Sequence, residues 1–280
     1  MTHRESVWAK NLIALQDKEG KWGQFHTLSW PSDKPVTTEQ ALRRLEILGC
    51  TAEDACIQKA VSYLHSCLIG EKCIPDPTEK LHNWDIYVKL MLSAWLCRFT
   101  KEDAAANAVA ETWGKVITAA FGCGEYSHEA YVSAYEEALG MKPRGGRLVD
   151  FRQFYILSLL PGHISPETEN AVMRYVLDGP EGVYYCYEKP LLLPPAFSGK
   201  PAVRYLLTLE LLARFTHARG QLHFAAGWLA ENRLPDGTWD MGSGARDGVL
   251  FPLSDDWRKK ESRVRDCTEC AAALWQKLSG

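Results

Sequence analysis

The chain lacks any apolar run of the roughly 18 residues that a membrane-spanning helix needs, and its first ten residues lack the apolar core of a secretory signal. An excess of one charge is also missing. The 32 basic and 35 acidic residues give a formal net charge of −3, so nothing favours a polyanion such as nucleic acid as partner. No series of alternating segments suggests a sheet, and neither a phosphate-cradling glycine loop nor a Gly-x-Ser-x-Gly nucleophile turn occurs. The nine cysteines, an odd number without an export signal, read as reduced thiols of a cytoplasmic chain. Cys267 and Cys270 have the spacing of half a zinc or redox motif, but no second pair completes it. Neither a metal nor a cofactor is implied.

What is present is apolar and aromatic. Hydrophobic residues make up 46% of the 280, with 10 Trp, 11 Tyr and 9 Phe, enough to exclude disorder and to fill one large core. The apolar period is helical throughout, and helices come in pairs. The first member of each pair is the more polar: Glu5–Gln16, Asp54–Cys67, Ala104–Phe121, Glu167–Leu177 and Gln221–Asn232. The second members, Thr38–Leu48, Trp84–Phe99, Arg147–Leu160, Pro201–Phe215 and Asp266–Leu278, are more apolar, several of them almost all round, and so expected inside. They recur at roughly 45–65 residues, a spacing that marks internal repeats. Ser127–Leu139 reads as one extra helix, and the proline-rich stretch Pro190–Pro201 as an ordered loop within a single domain spanning residues 1–280.

The turns between paired helices carry a signature. Gln16-Asp17-Lys18-Glu19-Gly20-Lys21-Trp22 is the fullest copy, Leu234-Pro235-Asp236-Gly237-Thr238-Trp239 a second, and Glu181-Gly182-Val183-Tyr184 a weaker third. Gly suits the left-handed end of the first helix, and the ring fills the space between pairs. This pattern resembles the QW repeat of terpenoid cyclases, to which protein prenyltransferases carry related repeats. The resemblance implies an all-α fold, an α/α toroid of about five to six helix pairs in a closed ring.

The family's active residues are matched only in part. Squalene-hopene-type cyclases use Asp-x-Asp-Asp-Thr at the start of an inner helix. The similar stretch here is Val264-Arg265-Asp266-Cys267-Thr268, which puts Asp266 at the proton-donating position with Val and Cys in place of the other acids. The prenyltransferase zinc pair is also incomplete, because Arg152 follows Asp150 where a thiolate is required. Ser254-Asp255-Asp256 begins a diphosphate-binding motif that Lys259 breaks, and six bases nearby, Arg246, Arg258, Lys259, Lys260, Arg263 and Arg265, could hold an anion or simply be solvated.

Acids near the expected starts of inner helices, Glu39, Asp85, Asp150 and Asp266, would meet at one rim of a toroid, and first-turn acids also balance the helix dipole. The candidate catalytic residues are therefore Asp266, Asp150 and Asp85. The candidate substrate wall is Trp84, Tyr87, Phe154, Tyr155 and Tyr205, with Arg263 and Arg265 as anion contacts. The function expected is binding, with or without conversion, of an apolar or isoprenoid-like small molecule in a central cavity. The alternative is a non-catalytic lipid- or protein-binding module, and a carbohydrate enzyme on an (α/α) barrel stands third.

Overall fold

The computed structural model describes residues 3–26 and 34–279. Among these, eleven α-helices carry the fold: α1 (Val7–Leu15), α2 (Thr38–Ile47), α3 (Ala55–Leu68), α4 (Trp84–Phe99), α5 (Ala104–Ala120), α6 (His128–Leu139), α7 (Phe154–Leu159), α8 (Pro166–Leu177), α9 (Gly199–Leu212), α10 (His223–Glu231) and α11 (Lys260–Ser279). Only isolated bridges, Gln153 with Tyr184 and Val183 with Tyr187, interrupt the helical pattern among the described residues.

Local chemistry sets the helix starts. Ser6, Asp103, Ser127 and Ser165 each accept a backbone N–H of the first turn, and Thr37 with Gln40 forms a reciprocal capping box. Two helix starts differ most from the expected ones. The segment 147–153, expected to open an inner helix, is a turn: the Asp150 carboxylate accepts the Arg152 N–H at 2.7 Å, and the Arg152 carbonyl accepts Tyr184 N–H at 2.8 Å. That local alternative to helix is the usual behaviour of aspartate. The last helix starts at Lys260, so Asp266 lies two turns inside α11 rather than at its start.

Three of the expected pairs pack directly, α1 on α2, α3 on α4 and α10 on α11. α4 is buried from Leu90 to Leu96 and all six residues of α7 are buried; α4 packs on α3, α5 and α7. α7 meets α9, α9 meets α11, and α10 packs on α11. α2 joins α4 through ion pairing of Arg98 with Glu46 at 2.7 Å. The two ends of the chain also meet. Trp8 Nε1 donates to the Ser254 carbonyl at 3.2 Å, and His3 pairs with Glu269 of α11 at 3.1 Å. Buried side chains from Ala9 to Leu274 form one continuous cluster.

The two tryptophan turns are built alike, and one constant shift in numbering carries Leu12, Gln16, Gly20 and Trp22 onto Leu229, Arg233, Gly237 and Trp239. Trp22 Nε1 donates to the Leu12 carbonyl at 2.7 Å and Trp239 Nε1 to the Leu229 carbonyl at 2.8 Å. Each indole thus serves a carbonyl in the last turn of a first-member helix, where helix donors have run out. Gln16 Nε2 and Arg233 Nε donate to the carbonyls of Gly20 and Gly237. The backbone N–H of each tryptophan donates to a threonine hydroxyl on the second member, Thr38 at 2.9 Å and Thr268 at 3.0 Å. Both rings are buried. Gly20, at φ +100°, cannot be replaced within this turn, because a Cβ there would sit 2.4 Å from the Lys59 carbonyl oxygen.

Candidate binding cavity

The second members of the five pairs, with segments 185–189 and 247–253, border a cavity of about 1260 Å³. Its wall takes Arg43, Glu46 and Ile47 from α2, Arg98 from α4, Phe154 from α7, Arg204, Leu207, Glu210 and Leu211 from α9, and Glu269, Cys270, Ala273 and Lys277 from α11. Arg214 enters just beyond the end of α9. The lining is of two kinds. Ile47, Phe154, Leu206, Leu207, Leu211, Val249, Leu250 and Leu253 are apolar, while arginine and lysine outnumber the acids.

Arg44 fixes the 247–253 wall to α2. Its guanidinium donates to the carbonyls of Val249 and Leu250, at 2.8 and 2.6 Å, and to that of Pro252. Burial lowers its pKa to about 10, against the pull of Asp247. Burial raises the Asp247 carboxyl, whose oxygen accepts the amides of Val249, Leu250 and Phe251. The lining also contains Tyr185, a non-glycine residue in the left-handed region at φ +69°. Such a conformation is costly for a bulky side chain. It is held by rings: Tyr185 lies 5.8 Å from Tyr155 and 4.2 Å from Tyr184.

Three arginines converge on the cavity. Arg98 donates to one oxygen of Glu46 through Nε at 2.9 Å and pairs with it through Nη2 at 2.7 Å, and Nη1 lies 3.4 Å from the Ser158 hydroxyl. Arg43 stacks over Phe154 at 4.3 Å and donates to the Tyr185 carbonyl at 3.5 Å. Arg98 lies 5.6 Å from the same Phe154 ring. Arg214 has Nη1 buried with no hydrogen-bond partner among the described residues. Burial, and then the charge of Arg98, lower its pKa to about 10, which Glu46 only partly opposes.

The residues expected from sequence divide into separate groups. Trp84, Tyr87, Phe154 and Tyr155 come together with Trp95 in one aromatic cluster, Tyr87 edge-on to Tyr155 at 5.8 Å and Phe154 to Tyr155 at 5.6 Å. At its centre is half-buried Glu39, accepting Trp95 Nε1 at 3.1 Å and the Tyr155 hydroxyl at 3.0 Å. Burial, and the Glu39 charge beside it, push the Tyr155 hydroxyl well above its usual pKa. Phe154 is the member of that cluster reaching the cavity wall together with Tyr185. Tyr205 stands apart against Tyr187 and Trp228, its hydroxyl donating to the Leu191 carbonyl at 2.6 Å.

The acids do not converge. Asp85 is exposed in the first turn of α4, and exposed Asp150 is occupied by the backbone and guanidinium of Arg152. Asp266 is fully buried; its Oδ2 accepts the amides of Leu253 and Ser254 and the Ser254 hydroxyl at 2.8–2.9 Å, and it does not line the cavity. The carboxyl sits between α11 and the preceding turn, neither capping its own helix nor meeting Thr268, which serves Trp239. Arg263 is engaged by Asp240 through two bonds of 2.8 Å, and Arg265 is exposed on a separate shallow depression with Lys260 and Val264. Cys267 and Cys270 are free thiols, both raised by burial.

Arg43, Arg98 and Arg214 are not among the residues expected from sequence, yet two of them carry a repeat. Leu96-Cys97-Arg98-Phe99-Thr100 closes α4 and Leu212-Ala213-Arg214-Phe215-Thr216 runs on from the last residue of α9. The same five-residue pattern thus delivers a guanidinium to the same cavity from two second members. The chain is an all-helical protein whose paired helices border a mixed apolar and basic cavity. In comparison with known proteins, no family model, no curated protein and no solved structure matches it.

Proposed function

We propose that this chain is an α/α toroid of the terpenoid cyclase and prenyltransferase kind, and that it binds an apolar or isoprenoid-like small molecule in its central cavity. Three observations support the ring: the neighbour order of the second members, the junction of the chain's two ends, and the repeated tryptophan turns. The observation that carries the function is the cavity of about 1260 Å³ shared by all five second members. It exceeds the roughly 300–1,000 Å³ of common small-molecule sites, which suits a long or branched ligand lying along Ile47, Leu207, Leu211 and Leu250.

The reading is binding without proton-initiated cyclisation. A general acid must reach the atom it protonates, and Asp266 lies behind the wall, its Oδ2 held by the 253–254 turn and its Oδ1 buried without a partner among the described residues. The test is titration of the purified chain with farnesol, followed by tryptophan fluorescence and thermal shift, beside a cavity-filling Leu207→Trp variant. Saturable binding to the wild type and at least about tenfold weaker binding to the filled variant, roughly 1.4 kcal/mol, is the expected result. Equal response of both proteins, or none from either, removes the reading.

A further inference from the structure

We propose that Arg43, Arg98 and Arg214 form a receptor for an oxyanionic head group of charge near −2, as on a phosphate monoester, at one end of the cavity ligand. This rests on reading the cavity as a ligand chamber and names the polar half of what it takes. The argument begins with charge. Three guanidinium groups face one cavity, and the carboxylate among them, Glu46, is engaged by Arg98. About two positive charges are left over. Buried charge persists where it is paired, and Arg214 keeps a buried Nη1 with no acceptor among the described residues.

Two structural explanations leave that nitrogen unexplained. Arg98 and Arg214 sit at helix C-termini, where a cation offsets the helix dipole. That interaction asks for a charge near the last carbonyls, not for a buried N–H without an acceptor. Stacking of Arg43 on Phe154 accounts for the face of its guanidinium, while its donors point along the edge and have one long contact, the Tyr185 carbonyl at 3.5 Å. Donors left over on two guanidinium groups, with Arg98 beside them, suit a tetrahedral anion with acceptors on several sides. The cavity is far larger than a bare phosphate, so the anion belongs to an organic molecule whose body lies on the apolar wall. The exposed bases Lys189, Lys200 and Arg204 on the same lining would draw such a molecule in. The bases noted before α11 do not share this arrangement, since Arg263 is held by Asp240 and Lys259 by Asp256.

The test uses the full chain and a tail-matched series, farnesyl monophosphate, farnesoic acid and farnesol, with inorganic phosphate as the tail-free probe, by isothermal titration at low and high salt. Farnesyl monophosphate is expected to bind most tightly, about tenfold or more above farnesol, with the carboxylate between them and an advantage that shrinks with salt. Arg214→Met should lose about tenfold for the phosphate and nothing for farnesol. Glu46→Gln, which removes the competing carboxylate, should gain several-fold for the phosphate. Opposite signs for these two variants are something a merely structural disturbance would not produce, and the second variant keeps the test alive if the first folds poorly. Equal affinity for farnesol and its phosphate refutes the head-group site while leaving the apolar reading standing. Binding of inorganic phosphate that follows the variants, with no response to any farnesyl compound, supports the head-group site and removes the isoprenoid reading. No binding of any probe, or the same sign for both variants, refutes the proposal.

Discussion

Replacing Trp22 by alanine should cost about 4 kcal/mol of folding stability, and the sum can be worked from its surroundings. The ring has no exposed surface. A tryptophan of this kind buries about 150–250 Å², worth roughly 4–6 kcal/mol at about 25 cal/mol per Å². A compact unfolded chain already hides part of that area and trims the figure to about 3–4 kcal/mol. The indole N–H adds about 1 kcal/mol, because its acceptor is the Leu12 carbonyl near the end of α1, while Gln16 N–H turns to Ile13 instead. The total agrees with the roughly 3–5 kcal/mol seen when buried large aromatics are truncated. Trp22→Phe separates the two parts. It keeps most of the ring volume and loses the N–H, so it should cost about 1–2 kcal/mol. Urea denaturation followed by circular dichroism, comparing midpoints and slopes across the three proteins, provides the measurement. A loss below about 1 kcal/mol for the alanine variant, or equal losses for both variants, would show that these turns do not staple helix pairs together.

The same turn offers a comparison of two glycines. Gly20→Ala should destabilise severely, since its Cβ meets the Lys59 carbonyl oxygen at 2.4 Å, whereas Gly237→Ala meets only the end of the flexible Arg233 side chain at 3.0 Å and should cost about 1–2 kcal/mol for its positive φ; similar melting temperatures for the two variants would contradict this. Asp266→Asn should lower stability by about 1–3 kcal/mol, the cost of leaving a buried hydrogen-bonding group unsatisfied, and leave farnesol affinity unchanged; a change in affinity at intact stability would bring Asp266 back to the ligand. Asp240 supplies a pH test. The hydrogen bonds of Arg263 hold its carboxyl below the usual carboxylate range, so its contribution is complete above the unfolded value near pH 4 and is lost as pH falls through the lower folded value. The stability gap between wild type and Asp240→Asn should be about 1 kcal/mol at pH 7 and narrow as pH falls below about 4, as read by denaturation at several pH values.

The parts of this fold that sequence reveals are those whose causes are local. Gln16, Gly20 and Trp22 lie within seven residues and act on one another, so their spacing carries their geometry, and their counterparts Arg233, Gly237 and Trp239 repeat it. The apolar length of Trp84–Phe99 likewise predicts a buried helix, with matching bounds. Where a side chain competes with the backbone, periodicity misleads. Asp150 closes a turn on Arg152, α7 starts at Phe154, and the acid is left outside the helix whose start it was expected to mark.

That shift explains why the expected set of acids is dispersed. Glu39, Asp85, Asp150 and Asp266 would share one rim only if each opened a second-member helix at the same level. Asp150 instead precedes α7 by four residues and Asp266 follows the start of α11 by six, and only Glu39 lies among the aromatic rings. The arginines show the converse. Arg98 and Arg214 are single charged residues at or just past the end of an apolar helix, which a reading by hydrophobic face passes over as a break, and Arg43 is one of four charged residues in α2. Their meeting depends on which helix ends are neighbours, a property of the assembled helices. The trace they leave in the chain is the repeated Leu-x-Arg-Phe-Thr at 96–100 and 212–216, and a repeat confined to apolar residues would have needed only the leucine and phenylalanine. Packing explains those two residues. The arginine between them stands at both positions and faces the same cavity, and Arg214 keeps one buried nitrogen without an acceptor among the described residues, which packing does not explain and the proposed anionic ligand does.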